Sequence, residues 1–281
     1  MQSVTGVWSA AGEIAGRLAR WQPPLWCSPG GERVLVIAPH PDDEVGCGGT
    51  LLLHGLAGDA VHVAYVTDGR GSRAGGLGPD QMAARRRQEV AAVAPVLGLA
   101  GVHWLGLRER EWDESALVPA LRDLLRQTAP DILYAPSCVD FHPEHVRVAR
   151  CLAQASAGLH ELRIRVYQIQ VPLTPVLVNL VTPIESVASE LLRAMRYYAT
   201  QFGSIERCFR MKRYGGSLYR VGGPAEELWQ MDADAYGRVH AEDAGGDGAF
   251  RGLRALPFTD PLSYARGLRA RVRLRALSRA G

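Results

Sequence analysis

The run Val34-Leu35-Val36-Ile37 passes directly into Ala38-Pro39-His40-Pro41-Asp42-Asp43-Glu44. A short apolar run followed by prolines reads as a buried strand, and charges gathered at its end are costly to hold there unless something engages them. A divalent metal is the evident partner. If the chain turns helical at Asp43, His40 and Asp43 converge on one point, with Asp42 beside it. A second apolar run, Ile132-Leu133-Tyr134-Ala135, leads to Asp140-Phe141-His142-Pro143-Glu144-His145. That stretch again offers imidazole and carboxylate at a strand end, and with them a third ligand.

The two motifs together resemble the zinc-dependent de-N-acetylases of the LmbE or PIG-L type, which remove acetyl groups from N-acetylglucosamine conjugates. Thr67-Asp68-Gly69 at the end of the second strand, and Arg86 three residues before Glu89, add to the likeness. The resemblance runs from His40 to His145 and more weakly to Tyr219-Arg220 and Ala225-Glu226. Two departures stand out: Glu144 replaces a common aspartate, and Arg108-Glu109-Arg110 replaces a common Pro-Asp-Gly. Glu144 keeps the charge and is expected to orient or flank the site; the second change puts substrate contacts in doubt.

With 281 residues and 47% hydrophobic content, the chain suits one large α/β domain. The expected organisation is an N-terminal lead-in (1–32), a deacetylase-like domain (33–250) and an arginine-rich tail (251–281). The tail carries eight arginines against Asp260, so the remaining body is slightly acidic although the whole chain is +3. Lys212 is the only lysine, a composition bias that says little about function. Five cysteines without Cys-x-x-Cys spacing argue against a disulfide framework and a thiolate zinc site. Without a signal-peptide pattern or an apolar run of membrane-spanning length, the expectation is a soluble, cytoplasmic protein.

Apolar runs at Val34–Ile37, Ala60–Thr67, Val102–Leu105, Ile132–Ala135, Arg163–Val171 and Val176–Val181 predict strands. Helical spacing predicts a short helix over Ile14–Trp21 and helices around Leu51–Leu56, from an Asp80 N-cap to Gly98, Leu117–Leu125, Val146–Leu152, Ile184–Tyr198 and Ile205–Tyr214. This alternation predicts a Rossmann-like α/β fold, a mostly parallel sheet with helices on both faces and both motifs at carboxyl ends of strands. Gly46, Gly48 and Gly49 at one helix start signal close approach, by tight packing more than by a ligand.

Zinc in hydrolytic sites takes three protein ligands at about 2.0 to 2.2 Å and keeps a position open. His40, Asp43 and His145 supply that set; ferrous iron could share it. Asp42, unable to face the same ion as its neighbour, becomes the general base, as the resemblance also implies. The resemblance makes His142 a cationic donor to the oxyanion. It gives Arg86 as a substrate contact, and Asp68 and Asp140 are read as substrate-binding too. His54, His62, His103, His160 and His240 are assigned no role in the chemistry.

The implied reaction frees an amine and acetate from a small-molecule or lipid-linked amino-sugar conjugate. A thiol or pseudo-disaccharide amide is the alternative substrate. A dinucleotide-binding fold is disfavoured: Gly46-x-Gly48-x-x is followed by Leu51, and three carboxylates stand where phosphates would approach. Nucleic acid is disfavoured, and the tail's arginines read first as a solvated or packed terminal helix. Peripheral membrane contact through that tail and homo-oligomerisation stay open.

Overall fold

The computed structural model describes residues 22–140, 142–169, 171–243 and 261–279. The expected helix over Ile14–Trp21 lies outside them. Seven strands form one sheet in the order β3-β2-β1-β4-β5-β7-β6. They are β1 (Arg33–Ala38), β2 (Ala60–Thr67), β3 (Gly101–Leu107), β4 (Ile132–Ala135), β5 (Arg163–Tyr167), β6 (Leu180–Pro183) and β7 (Ala225–Met231). β1 to β5 pair in parallel, and β7 runs antiparallel between β5 and β6.

β1 lies inside the sheet, third of the seven strands, and is buried beyond its first residue. Its alternate side chains feed two cores: Leu35 and Ile37 on one face of the sheet, Val34 and Val36 on the other, as a period of two requires. Helices α3 (Glu114–Thr128) and α4 (Pro143–Ala155) cover the first face through Leu117, Leu121, Val148 and Leu152. The second is covered by α1 (Gly48–Leu56), α2 (Pro79–Val93) and α6 (Ala188–Arg196) through Leu51, Val90, Val93 and Leu191. The expected strand over Val176–Val181 divides into a short helix α5 (Thr174–Leu177) and β6. Asp80 is not the cap of α2: Gly78 precedes the helix, Pro79 opens it, and Asp80 lies in the first turn facing Arg70.

Gly46, Gly48 and Gly49 are packing glycines. A Cβ on them would meet the Gln168 carbonyl at 2.9 Å, Leu191 at 2.7 Å and Ile184 at 2.8 Å respectively. The amino end of α1 is closed from a distance by Glu226 on β7, which accepts from Gly49 N at 2.9 Å and Thr50 N at 2.7 Å. Lys212, on α7 (Phe202–Tyr219), pairs with the same carboxylate at 2.6 Å and donates to the Gly46 carbonyl at 2.8 Å.

Two helices complete the described chain, α8 (Ala233–Asp243) and the basic α9 (Pro261–Arg279). α9 packs on α8 and α5. Ala270, Arg271 and Leu274 face inward while Val272 is 58% exposed. Among the described residues no helix is long and apolar enough to cross a membrane.

Candidate active site

The chain crosses from β3 back to β4 on the other side of β1, so the carboxyl ends of β1 and β4 flank the point where strand order reverses. In open α/β sheets that crevice is where ligands bind. His40, Asp42 and Asp43 emerge there from β1, and Asp140, His142, Glu144 and His145 from β4. A cavity of about 200 Å³ opens on His40, Asp42, Asp43, His142 and His145, its wall completed by Ser72, Arg86, Glu109, Arg110 and Gln201. A larger hollow of about 720 Å³ lies at the amino ends of β1, β4 and β5. Four of its charges pair, Arg33 with Asp131 at 2.7 Å and Arg163 with Glu32.

Three donors from the two motifs form a tight triangle. His40 Nδ1 lies 3.1 Å from His145 Nε2, and Asp43 Oδ2 lies 3.3 Å from the first and 3.2 Å from the second. Donors bound tetrahedrally at about 2.05 Å sit roughly 3.3 Å apart, so the spacing fits one zinc-sized ion. Each imidazole is fixed from behind by a carboxylate. Glu144 Oε2 accepts a hydrogen bond from His40 Nε2 at 2.8 Å, and Asp140 Oδ2 accepts one from His145 Nδ1 at 2.9 Å. The lone pair of each ring is thereby turned into the triangle. His142 also brings a ring nitrogen within 4.8 Å of those of His40 and His145. Its Nδ1 is buried without a hydrogen-bond partner.

The field of the triangle favours positive charge. Burial works against a charged His40, but hydrogen bonds to Asp43 and Glu144 outweigh it and raise its pKa to about 9. His145 is likewise raised against burial, by Asp43 and Asp140. Burial would lift the Asp43 carboxyl, yet the two histidines hold it well below the usual carboxylate range. His142 moves the other way, to about 4, under burial and the repulsion of His40 and His145. That disfavours the cationic form expected of it.

Asp42 stands beside the triangle with φ +111° and no side-chain capping bond, so it is not a helix cap. Such a backbone costs a non-glycine residue on the order of 1–3 kcal/mol and persists only where neighbours enforce it. Its Oδ1 accepts from Arg86 Nη2 at 2.7 Å, and the same nitrogen bonds the Pro41 carbonyl. Burial raises the Asp42 carboxyl to about 6, with Arg86 pulling against it. Arg86 is 2% exposed, and its Nε lies so close to Gly69 that a Cβ there would meet it at 2.9 Å.

Two residues expected to touch substrate are engaged elsewhere. Asp140 spends one oxygen on His145 and the other on His142 N at 2.8 Å. Asp68 ties two loops together, accepting from Arg70 N at 3.2 Å, Arg70 Nε at 2.7 Å and Glu109 N at 3.3 Å. Neither lines the cavity, because a carboxylate at a strand end is first claimed by the unpaired amides of the following turn. Glu109 does line it, supplying an acid where the resembling family has one, and its Oε2 accepts from Gly71 N at 2.6 Å. Ser72, Gln201 and Arg110 also line it; of these only Ser72, between Gly71 and the glycines Gly75 and Gly76, carries a signal in the sequence, that of a glycine-rich loop at a strand end.

Fold and site define a Rossmann-like α/β protein with a cation-favouring imidazole–carboxylate cluster at its switch point. Residues 35–156 of the chain are similar to the family described as GlcNAc-PI de-N-acetylase. A diacetylchitobiose deacetylase of Thermococcus kodakarensis is 31% identical over 122 residues, which are 41% of this chain and 45% of that relative. The match therefore spans under half the length of that protein. Among solved structures, the N,N'-diacetylchitobiose deacetylase of Pyrococcus horikoshii, complexed with its inhibitor MPG, superposes with a TM-score of 0.63 at 25% identity. It covers 72% of this chain and 85% of its own. A 4-carboxy-2-hydroxymuconate hydratase from Pseudomonas putida reaches 0.60 at 22% identity, covering 70% and 95%. That likeness is of fold alone, and fold does not decide chemistry.

Proposed function

We propose that the protein is a metal-dependent hydrolase that removes an N-acetyl group from an amino-sugar conjugate, leaving a free amine and acetate. The observation that carries this reading is the donor triangle His40 Nδ1, Asp43 Oδ2 and His145 Nε2, with edges of 3.1 to 3.3 Å and Asp42 beside it. His40, Asp43 and His145 would hold zinc or a similar divalent ion. When bound, that ion polarises the amide carbonyl and acidifies water at neutral pH. Asp42 takes the proton of the water that adds to the carbonyl carbon and returns it to the nitrogen as the C–N bond breaks. His142 donates an N–H to the carbonyl oxygen as it gains charge. The deacetylase relatives supply the amino-sugar side of the reading; the cavity lets the acetamido end enter while the rest of the conjugate extends past Arg110 and Gln201. The body of the protein acts in the cytoplasm on a small-molecule or lipid-linked conjugate.

The test is acetate release from a panel of N-acetylglucosamine conjugates together with metal content by mass spectrometry. About one zinc per chain with acetate released supports the reading. Metal without acetate redirects the search to other amides, and failure to take up metal removes the mechanism.

A further inference from the structure

Asp42 keeps its left-handed backbone because it is gripped on both sides. Its N–H donates to Glu44 Oε2 at 3.1 Å, and its Oδ1 accepts from Arg86. Neither grip stands alone. Glu44 Oε1 accepts from the Tyr198 hydroxyl. Arg86 Nη1 donates to Thr200 Oγ1 at 3.3 Å, and that hydroxyl donates in turn to Glu89 Oε2 at 2.7 Å while Thr200 N donates to Glu89 Oε1 at 3.0 Å. One residue further, Gln201 Nε2 donates to Ser72 Oγ at 2.8 Å, and both side chains line the cavity. Tyr198 follows α6, and Ala199–Gln201 is a single 3-10 turn before α7.

We propose that Tyr198–Gln201 is a positioning strap: Tyr198 through Glu44, and Thr200 through Arg86, hold Asp42 in its working conformation, while Gln201 with Ser72 sets one wall of the substrate cavity. The strap lies beyond the family-matched segment 35–156. It also assigns Arg86 to Asp42 instead of to substrate. The inference rests on the reading of Asp42 as the proton acceptor.

The test compares Thr200→Val, which keeps shape and loses the hydroxyl, with Thr200→Ser, which keeps the hydroxyl, and adds Tyr198→Phe and Gln201→Ala. For each, kcat and KM for acetate release, zinc content and thermal midpoint are measured. Thr200→Val and Tyr198→Phe should each lower kcat about tenfold, the effect of one lost hydrogen bond to the machinery, with KM and zinc content held. Thr200→Ser should recover most of that kcat, and Gln201→Ala should raise KM severalfold. Wild-type kcat in Thr200→Val and Tyr198→Phe overturns the strap, as does equal loss in Thr200→Val and Thr200→Ser that follows the thermal midpoint. If the wild type hydrolyses no amide, the functional reading fails and a crystal structure of Thr200→Val decides the strap. Relaxation of Asp42 out of the left-handed region supports it; an unchanged φ overturns it.

Discussion

Glu144 Oε2 sits 2.8 Å from His40 Nε2, joining the two motifs across 104 residues of chain. Its other oxygen accepts from Arg110 N and Trp112 Nε1, each at 2.7 Å. One carboxylate therefore orients an imidazole of the triangle and anchors the loop after β3. Removing it leaves three donors unanswered and frees the His40 ring to turn. Glu144→Ala should weaken zinc binding on the order of 10- to 100-fold, measured by competition with a chromogenic chelator. Unchanged affinity would mean the contact orients nothing.

Asp42→Ala removes the proposed proton acceptor without touching the triangle. Acetate release should fall on the order of 10²-fold or more, with zinc stoichiometry retained. Equal loss of metal would make Asp42 part of the binding set instead.

The lone lysine of the chain is 3% exposed and its partner Glu226 is 2% exposed. Glu226→Ala would leave the Lys212 ammonium buried and open the amino end of α1. The expected cost is about 3–5 kcal/mol, the range for breaking a buried pair from one side, read as a shift of the urea midpoint. A change within experimental scatter would show that water reaches Lys212.

His240 on α8 donates from Nδ1 to the Tyr236 carbonyl at 2.8 Å and accepts at Nε2 from Cys138 N at 3.3 Å, in the loop leading to Asp140. Both nitrogens are used only in the neutral ring. Burial, with Arg150 of α4 adding repulsion and the Tyr236 carbonyl opposing, lowers its pKa to about 4. The unfolded chain takes a proton near 6.5 that the folded chain refuses until about 4. This contribution is therefore complete above pH 6.5 and shrinks as pH falls toward 4, by up to about 3 kcal/mol. Unfolding free energies of wild type and His240→Gln at pH 7.5 and 5 check it: the gap between them should narrow at the lower pH.

What the sequence determined by itself is local. Apolar runs breaking into His40-Pro41-Asp42-Asp43-Glu44 and into His142-Pro143-Glu144-His145 placed the chemistry at strand ends, because strand periodicity and ligand spacing act over a few residues. The alternation of those runs with helical spacing made the parallel sheet legible as well. β7 was not: Ala225-Glu226-Glu227-Leu228-Trp229-Gln230-Met231 buries two acids and has no alternation to read. It is a strand because it pairs antiparallel with β5 and β6, and its two buried acids are answered by Lys212 and Gln168 at 2.6 Å each. Tertiary structure also decided that Asp68 and Asp140 are engaged by backbone amides, Arg70 and His145 outside the cavity lining, and which nitrogen of His40 and of His145 faces the triangle. It set the strained φ of Asp42 through Arg86 and Glu44. A proton's place on a ring and a backbone's departure from its preferred region are fixed by partners brought close in space, and linear order carries no signal for them.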